Sequence, residues 1–409
     1  MSNLRKSTLF HPTFCPTCPK NYSNLLHVVL GTLLVVSCGT THTTTYDTIT
    51  FETYSPEEYN LQSLDRITDN ETNQYGHPTG GDEGHNLFFN VRDKQGHANI
   101  YHMANSYAKA MSSKTSGNNV NLMPAYCEKT NKLVYSGHQE GASTTDIFMT
   151  DATQGTAIRR LTNTPGEYEF FPDISADGST VVFERIHSQG MLKDAYIWCQ
   201  NLATEQETQL CRGRMPSFSH DGRLIVFVRF SADGNSSSLL TMNSDGTNQT
   251  ELTDAKMGIV ECPCFSPDDS QIVFQCRKGD KQDYDLWVVN RDGTNLTQLT
   301  FNKSFDGEPY WARDGKDGYI YFTSDRGYHE NNFQIWRFKY GTYNGKGGSM
   351  SGGNNTDSNL GYKTHIVSQG ETITQIAARY GVTVKSIVQW NGLKTMTLTP
   401  GMKLKVSNK

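Results

Sequence analysis

One acidic position recurs along the middle of the sequence, and acid/base chemistry would first be sought there. The residues are Asp177, Asp221, Asp268, Asp269 and Asp314, each in a short polar segment between apolar runs. Asp in such a segment is typical of a tight turn, because its side chain bonds the backbone two residues on. The acids recur once per repeat on separate units, so we expect turns and not a converging catalytic pair.

Histidines concentrate near the start of the repeats, at His77, His85, His97 and His102. Their spacing matches no H-E-x-x-H or similar metal motif, and we expect loop and surface positions. No G-x-S-x-G motif follows the repeats, as an attached serine peptidase domain would require. We therefore predict no catalytic residues, no metal and no cofactor.

Two pairs of cysteines lie on neighbouring predicted strands. Cys262 and Cys276 flank a turn almost symmetrically, which predicts that they face each other across a hairpin, and Cys199 and Cys211 lie on consecutive strands. Either pair could form a disulfide in an oxidising compartment, although a directly opposed cross-strand disulfide is strained. Buried free thiols are the alternative, and the sequence leaves both open.

Composition excludes several classes of protein. The 409 residues include 37 Lys and Arg against 42 Asp and Glu, a net charge of −5. Nucleic acid is therefore not expected as a partner, because phosphate binding requires a basic surface. Hydrophobic residues make up 35% of the chain, and 36 further residues are glycine. Together they give an apolar share close to that of average globular proteins. The length favours more than one folded domain.

The N-terminus has the pattern of a secretion signal. Arg5, Lys6 and Lys20 precede an apolar run at 25–38 that is too short to span a bilayer comfortably. The run ends in Val-Val-Ser-Cys-Gly, which resembles a bacterial lipobox. The resemblance implies that residues 1–37 are a signal peptide and that Cys38 carries the lipid. An ordinary signal peptide with a chance cysteine is the alternative.

Residues 38–62 form the next segment, which is rich in Thr, Tyr and Glu and predicts an extended tether. Gly39 follows the anchor cysteine, where some inner-membrane lipoproteins have Asp. The resemblance therefore implies an outer-membrane lipoprotein on the periplasmic face, held to the membrane by its lipid anchor. The Cys-Pro-Thr-Cys segment at 15–18 would be lost with the signal peptide, so we do not expect it to bind zinc.

The middle of the chain is a sixfold repeat. Its units share a proline, followed by a turn of the Asp-Gly type and a β-branched run. The prolines are Pro78, Pro124, Pro172, Pro216, Pro263 and Pro309. They recur every 44 to 48 residues, and each unit contains four segments with the pattern of short strands, which is the period of a propeller blade.

The last unit lacks its fourth strand, whereas Leu64 to Thr68 form an unassigned strand before the first unit. We expect this N-terminal strand to complete the last blade, which removes an open sheet edge. The repeats resemble the TolB-like propeller, most strongly in units three to six. The resemblance implies a six-bladed β-propeller at 63–340 that acts as a protein-interaction platform.

A second domain follows the propeller. Residues 341–361 are rich in Gly, Ser and Asn and predict a flexible linker. Residues 362–409 begin with a short strand at 364–367 and continue with apolar residues at helical spacing, which Thr372 and Thr383 could cap. A final strand closes the segment. The fold class is thus mainly β, a propeller followed by a small β-α-α-β domain.

The C-terminal segment resembles the LysM family along its whole length, including Trp390-Asn391 and Pro400-Gly401. The resemblance implies binding of N-acetylglucosamine-containing glycan, such as peptidoglycan, in a shallow groove between two loops. It implies as carbohydrate-binding residues Gly370, Glu371, Thr372, Ile373, Asn391, Leu393, Leu398, Thr399, Pro400 and Gly401. Ile373, Trp390 and Asn391 could instead serve the core or the caps of the helices.

These features together predict a non-enzymatic envelope protein that binds peptidoglycan and presents its propeller to an unidentified envelope protein. The alternative is a cell-wall or peptide hydrolase, or a regulator of one. Against it stands the lack of a carboxylate pair with glycosidase spacing. A third hypothesis is a sensor of glycan or peptide fragments.

Overall fold

The structure is a computed structural model. It describes residues 61–69, 72–106, 110–138, 142–278, 283–301, 303–314, 317–326, 332–342, 364–367, 372–373, 376–377, 380, 384–391, 393, 398 and 402–406. Within these residues, no helix is long and apolar enough to cross a membrane. The predicted signal peptide, Cys38 and most of the tether lie outside the described residues.

The described part of 62–342 consists almost entirely of β-strands. In the first half they are β1 (Gln62–Arg66), β2 (Gln74–Gly80), β3 (His85–Arg92), β4 (Ala98–Asn105), β5 (Met111–Ser113), β6 (Val120–Cys127), β7 (Lys132–His138), β8 (Asp146–Asp151), β9 (Arg159–Arg160), β10 (Glu167–Ile174), β11 (Thr180–His187), β12 (Tyr196–Asn201) and β13 (Glu207–Arg212). In the second half they are β14 (Arg214–Phe218), β15 (Leu224–Phe230), β16 (Ser237–Asn243), β17 (Thr250–Glu251), β18 (Ile259–Phe265), β19 (Gln271–Arg277), β20 (Asp285–Asn290), β21 (Thr297–Gln298), β22 (Asp306–Asp314), β23 (Asp317–Ser324) and β24 (Gln334–Thr342).

These strands form antiparallel sheets in chain order. β10 to β13, β14 to β17 and β18 to β21 are sheets of four, and β22, β23 and β24 are joined by β1. The largest sheet contains β2 to β5 and β6 to β9, which a single parallel contact between Ala98 and Val120 connects. The first strands β2, β6, β10, β14, β18 and β22 contact one another in this cyclic order, and β22 contacts β2.

The N-terminal strand completes the last sheet, as the sequence predicts. Asp65 lies opposite Arg337 and Arg66 opposite Trp336 on β24. The Thr68 hydroxyl accepts a hydrogen bond from the backbone N–H of Ile335 over 2.9 Å and donates one to Gln334 over 2.8 Å. The two ends of the repeat region are therefore held in one sheet.

The same threonine contact recurs in three other sheets. It explains why those repeats share a Leu-Thr pair, at Leu161-Thr162, Leu252-Thr253 and Leu299-Thr300. Hydroxyls of Thr162, Thr253 and Thr300 each accept from a backbone N–H of the third strand over 2.9 Å. All three threonines are buried. Without this acceptor the buried N–H would have no hydrogen-bond partner, which would destabilise the fold. A hydroxyl at this position of the repeat prevents that loss.

The repeated Ser-x-Asp segments form turns, which confirms the interpretation of these acids. Asp177 accepts hydrogen bonds from the Ser175 hydroxyl over 2.6 Å and from the backbone of Ser179 over 2.9 Å. These bonds lower the pKa of Asp177 to about 2. Asp221 and Asp268 have equivalent contacts.

The core lies between successive sheets. One cluster joins Val226 and Leu239 to Val260 and Phe274 of the following sheet. All four residues are fully buried, and each large aliphatic or aromatic side chain in such a position contributes about 1.5–3 kcal/mol. The flat apolar faces of the sheets therefore hold the ring together.

The cysteines do not form the predicted pairs. Cys276 lies opposite Val260 and not opposite Cys262, because the register shifts between Glu261 and Cys264. Cys211 lies opposite Ile197, whereas Cys199 lies opposite Thr208. All six cysteines from Cys127 onward are free thiols, so neither disulfide is present.

The C-terminal segment contains a two-stranded antiparallel sheet and one helix among its described residues. These are β25 (Thr364–Ile366), α1 (Val384–Asn391) and β26 (Lys403–Lys405). Before α1, hydrogen bonds run from Ile376 N to Thr372 O and from Tyr380 N to Ile376 O. This i to i−4 spacing is that of an α-helix. The complete β-α-α-β pattern stays a prediction, because much of 362–409 lies outside the described residues.

Candidate functional site

The C-terminal segment has its own core. Val367, Ile373, Ile376, Ala377, Ile387, Leu404 and Val406 form one buried cluster. The apolar residues spaced three and four apart in the sequence are those that pack inward. His365 and Tyr380 join the first strand to the first helical turn, with Nδ1 3.1 Å from the phenol oxygen.

Asn391 fixes the end of α1 to the last strand. Its amide nitrogen donates to the backbone oxygens of Ile387 over 2.9 Å and Lys405 over 2.7 Å. Its amide oxygen accepts from the backbone N–H of Lys405 over 2.7 Å. The side chain therefore bridges two elements, which is the cap role that the sequence left open for Asn391.

The predicted carbohydrate residues divide into two groups. Gly370, Glu371, Thr399, Pro400 and Gly401 lie outside the described residues. Among the others, Ile373 is 3% exposed and belongs to the core. Thr372 is exposed, and Leu393 and Leu398 are half-buried against the core. Among the described members Thr372 is therefore the most exposed residue, and the two leucines are partly exposed.

A second site lies among the six first strands of the propeller region. The residue before each repeated proline lines one cavity of about 110 Å³, which we call the axial cavity. These residues are His77, Met123, Phe171, Met215, Cys262 and Glu308. Each has a positive φ between 49° and 56°, and each lies at a shift of strand register. Six β-bulges therefore turn six side chains toward one axis.

His77 and Glu308 close one side of the axial cavity. Nδ1 of His77 lies 3.2 Å from Oε1 of Glu308, and the His77 backbone N–H donates to Oε2 over 2.8 Å. Thr323 donates a further hydrogen bond to Oε2 over 2.7 Å. Burial lowers the pKa of His77, against the opposing charge of Glu308. The expectation that His77 lies on the surface is wrong, because the bulge turns it inward.

His102 also departs from the surface expectation. It is 8% exposed, stacks on Phe88 at 4.6 Å between ring centroids and contacts Asn86 Oδ1 over 3.0 Å. Burial, together with the charge of Lys114, lowers the pKa of His102 to about 4. His85 is exposed, as expected.

Sulfur atoms line another side of the axial cavity. Cys262 Sγ lies 4.0 Å from Met215 Sδ, and the Cys262 backbone N–H donates to that thioether over 3.4 Å. Burial raises the pKa of the Cys262 thiol well above its usual value, and the carboxylate of Glu261 adds to this effect. At neutral pH, Cys262 is therefore a thiol.

His220 lies in the turn between β14 and β15. Acidic residues surround it. Asp269 accepts from the backbone N–H groups of His220 over 2.8 Å and Asp221 over 2.9 Å. Burial alone would lower the pKa of His220, but the hydrogen bond to Asp269 and nearby carboxylates raise it. Burial raises the pKa of Asp82 and Asp173. Asp269 thus connects the turn after β18 to the turn after β14.

In the described ranges, no group of three His, Cys, Asp or Glu residues could hold a metal ion. The ring of residues around the axial cavity was not identified from the sequence. The sequence signal that could have found it is the residue before each repeated proline, a single repeat position that carries five residue types in six units.

Among solved structures, the chain is similar to a putative TolB from Agrobacterium tumefaciens, with 17% identity, a TM-score of 0.49 and coverage of 68% of this chain and 96% of that one. It is also similar to TolB from Acinetobacter baumannii, with 16% identity, a TM-score of 0.43 and coverage of 67% and 64%.

A short segment is similar to a different protein. It is 44% identical over 62 residues to N-acetylmuramoyl-L-alanine amidase sle1 of Staphylococcus epidermidis. The match covers 15% of this chain and 18% of that relative's length. The family model described as the TolB beta propeller domain (PD40) matches residues 48–259 and 247–403. The chain therefore belongs to the TolB beta propeller domain family.

Proposed function

We propose that this protein is a lipid-anchored envelope scaffold that binds peptidoglycan through a LysM domain at 362–409. The propeller at 63–340 would present a surface to an envelope protein. Cys38 would carry the lipid at the periplasmic face of the outer membrane, and residues 341–361 would connect the two domains.

The observation that carries the proposal is the self-contained core of the C-terminal segment. Its buried residues come from both helical segments, from β26 and from Val367 directly after β25, and Asn391 ties α1 to β26. A module of this kind needs no contact with the propeller to form a rigid surface. The similarity to relatives named N-acetylmuramoyl-L-alanine amidase supports a cell-wall ligand.

The proposed sugar contacts fit the chemistry of N-acetylglucosamine. Thr372 is an exposed residue at the start of the first helical segment, and Leu393 and Leu398 are partly exposed. Hydroxyl and amide groups bond the sugar hydroxyls, and apolar side chains contact the sugar face and the acetyl methyl group. Ile373 would support this surface from the core, and Asn391 would support it by holding α1 to β26.

We further propose that the sheets of the propeller are six blades. The supporting features are the six proline repeats, the cyclic contacts of β2, β6, β10, β14, β18 and β22, and the pairing of β1 with β24. A closed ring of this kind leaves loops at both faces available for protein contacts.

Co-sedimentation with purified peptidoglycan sacculi tests the proposal. We expect the full chain to sediment with sacculi and a chain lacking 362–409 to remain in the supernatant. Unchanged thermal unfolding of the propeller in the shortened chain serves as the control for folding. Equal sedimentation of the two chains would contradict the glycan role of the C-terminal domain.

The similarity to amidases also supports a second candidate, a cell-wall hydrolase. Incubation of the purified chain with labelled sacculi distinguishes the two. Release of soluble wall fragments would favour the hydrolase, whereas binding without release supports the scaffold. Replacement of Cys38 by Ala should abolish incorporation of labelled fatty acid if Cys38 carries the lipid.

A further inference from the structure

Two sulfur atoms face each other in the axial cavity. Met215 and Cys262 occupy the same position of successive repeats, and their Sδ and Sγ atoms are 4.0 Å apart. The Met215 thioether accepts the backbone N–H of Cys262 over 3.4 Å and the Cys262 S–H over 4.0 Å between the sulfur atoms. An ion that replaced the thiol proton would therefore meet a lone pair of Met215. A thiol and a thioether at this separation could both reach one metal ion, since sulfur–metal bonds are about 2.3 Å long.

The backbone holds both sulfurs in place. Met215 and Cys262 have φ values of 52° and 50°, and Pro216 and Pro263 follow them. Proline favours extended backbone with negative φ in the residue before it, so the bulge and not the proline holds these two residues at positive φ. Each residue also lies at a register shift between paired strands. The two side chains are thus directed into the cavity by the fold and not by a mobile loop.

The size and lining of the cavity restrict its occupant. A volume of about 110 Å³ is room for an ion and a few waters, given that one liquid water occupies about 30 Å³. It is too small for a peptide or a disaccharide. Met123 and Phe171 add an apolar lining beside the two sulfurs.

The neighbouring polar groups do not offer a site for a hard cation. His77 and Glu308 contact each other over 3.2 Å, and Glu308 also accepts from Thr323. Among the residues that the structure describes, no three His, Cys, Asp or Glu side chains form a metal-binding group. Four sulfur-bearing residues line the cavity, namely Met123, Met215, Cys262 and Cys264. Thiolate and thioether donors select soft ions such as Cu(I), and Cys262 and Met215 are a pair whose sulfur atoms are in contact.

We propose that the axial cavity binds one soft monovalent metal ion of the Cu(I) class between Cys262 and Met215. The Cys262 S–H bond breaks, its proton passes to solvent, and the thiolate forms a bond to the ion. Met215 donates a sulfur lone pair, and no oxidation state changes. Thiolate and monovalent cation together are neutral, so the complex adds no net charge to the cavity.

A titration with Cu(I) against a chromophoric Cu(I) chelator, without oxygen, tests this site. The full chain carries Cys15→Ser, Cys18→Ser and Cys38→Ser in every sample, so that the N-terminal thiols do not compete. We expect this protein to withdraw one equivalent of Cu(I). Cys262→Ser should lose that equivalent, and Met215→Leu should weaken binding by a factor on the order of ten or more.

Cys276→Ser is the matched control, since Cys276 is a buried free thiol outside the axial cavity, and it should keep the equivalent. Thermal unfolding with and without Ag(I) gives a second readout, in which the melting temperature rises for the control and not for Cys262→Ser. Retention of the equivalent in Cys262→Ser, or its loss in Cys276→Ser, would overturn the proposal. Binding by Met215→Leu equal to that of the control would also overturn it.

Discussion

Arg214 Nη2 donates a hydrogen bond to Glu184 Oε1 over 2.8 Å, and the two side chains are 1% and 0% exposed. Glu184 also accepts the backbone N–H of Met215 over 3.0 Å. The pair thus joins β11 to β14 and fixes the strand that carries Met215 into the axial cavity.

We expect Arg214→Met to destabilise the propeller by about 3–5 kcal/mol, because the Glu184 carboxylate would stay buried without its cation. The free energy of unfolding in urea measures this loss. Glu205→Gln is the control, since Glu205 is 69% exposed in its pair with Arg159, and it should cost less than about 1 kcal/mol. A loss of the same small size for Arg214→Met would contradict the role of the pair.

Thr253→Val should destabilise the propeller by about 1–3 kcal/mol, because the N–H of Leu239 would lose its acceptor in a buried position. Valine keeps the shape of threonine, so packing is retained. Thr253→Ser restores the hydroxyl and should recover most of the loss in urea unfolding. If both variants unfold alike, the threonine acts through its methyl group and not through its hydroxyl.

Stability should fall as the pH is lowered from about 6.5 toward 4, partly through His102. Its pKa is lowered from 6.5 to about 4 in the folded state, so the unfolded chain binds the proton first and protonation favours unfolding. Below about 4 both states are protonated and this contribution levels off. Burial lowers the pKa of His77 and His138 in the same direction.

His102→Gln tests this assignment through unfolding at pH 7 and pH 5. We expect the variant to lose less stability between these values than the wild type does. His85→Gln, at an exposed position, should leave the pH dependence unchanged. An identical loss in His102→Gln and the wild type would show that other groups carry the effect.

Asn391→Ala removes three hydrogen bonds, one within α1 to Ile387 and two from α1 to Lys405 on β26, at about 0.5–1.5 kcal/mol each. A module of this size has little stability to lose, so we expect its melting transition to disappear while that of the propeller stays. Calorimetry separates the two. Lys405→Gln keeps the backbone partners of Asn391 and should retain both transitions. A shift of the propeller transition in Asn391→Ala would mean that the module does not fold independently.

Much of the propeller was predictable from local patterns. The proline period, the Ser-x-Asp turns and the Leu-Thr pairs each reflect a contact within one repeat, such as the Thr253 hydroxyl with Leu239. The strand that closes the ring was also predictable, because Thr68 precedes Pro78 by ten residues, as Thr253 precedes Pro263.

The axial cavity was not predictable, because it depends on bulges. A register shift before each proline turns His77 and Cys262 toward the axis and separates Cys262 from Cys276. The sequence shows which residues alternate along a strand but not where the ladder is interrupted. In the C-terminal domain the apolar spacing predicted the core, whereas the role of Asn391 became clear only from its three bonds.

The central claim, that the C-terminal domain binds N-acetylglucosamine-containing glycan, is tested most directly by calorimetric titration of the full chain with a soluble N-acetylglucosamine oligomer. We predict saturable binding that Thr372→Ser retains and Thr372→Arg loses, because the larger side chain would obstruct the proposed groove. Absence of binding to the wild-type chain with the C-terminal domain folded, or equal binding by Thr372→Arg, would contradict the claim.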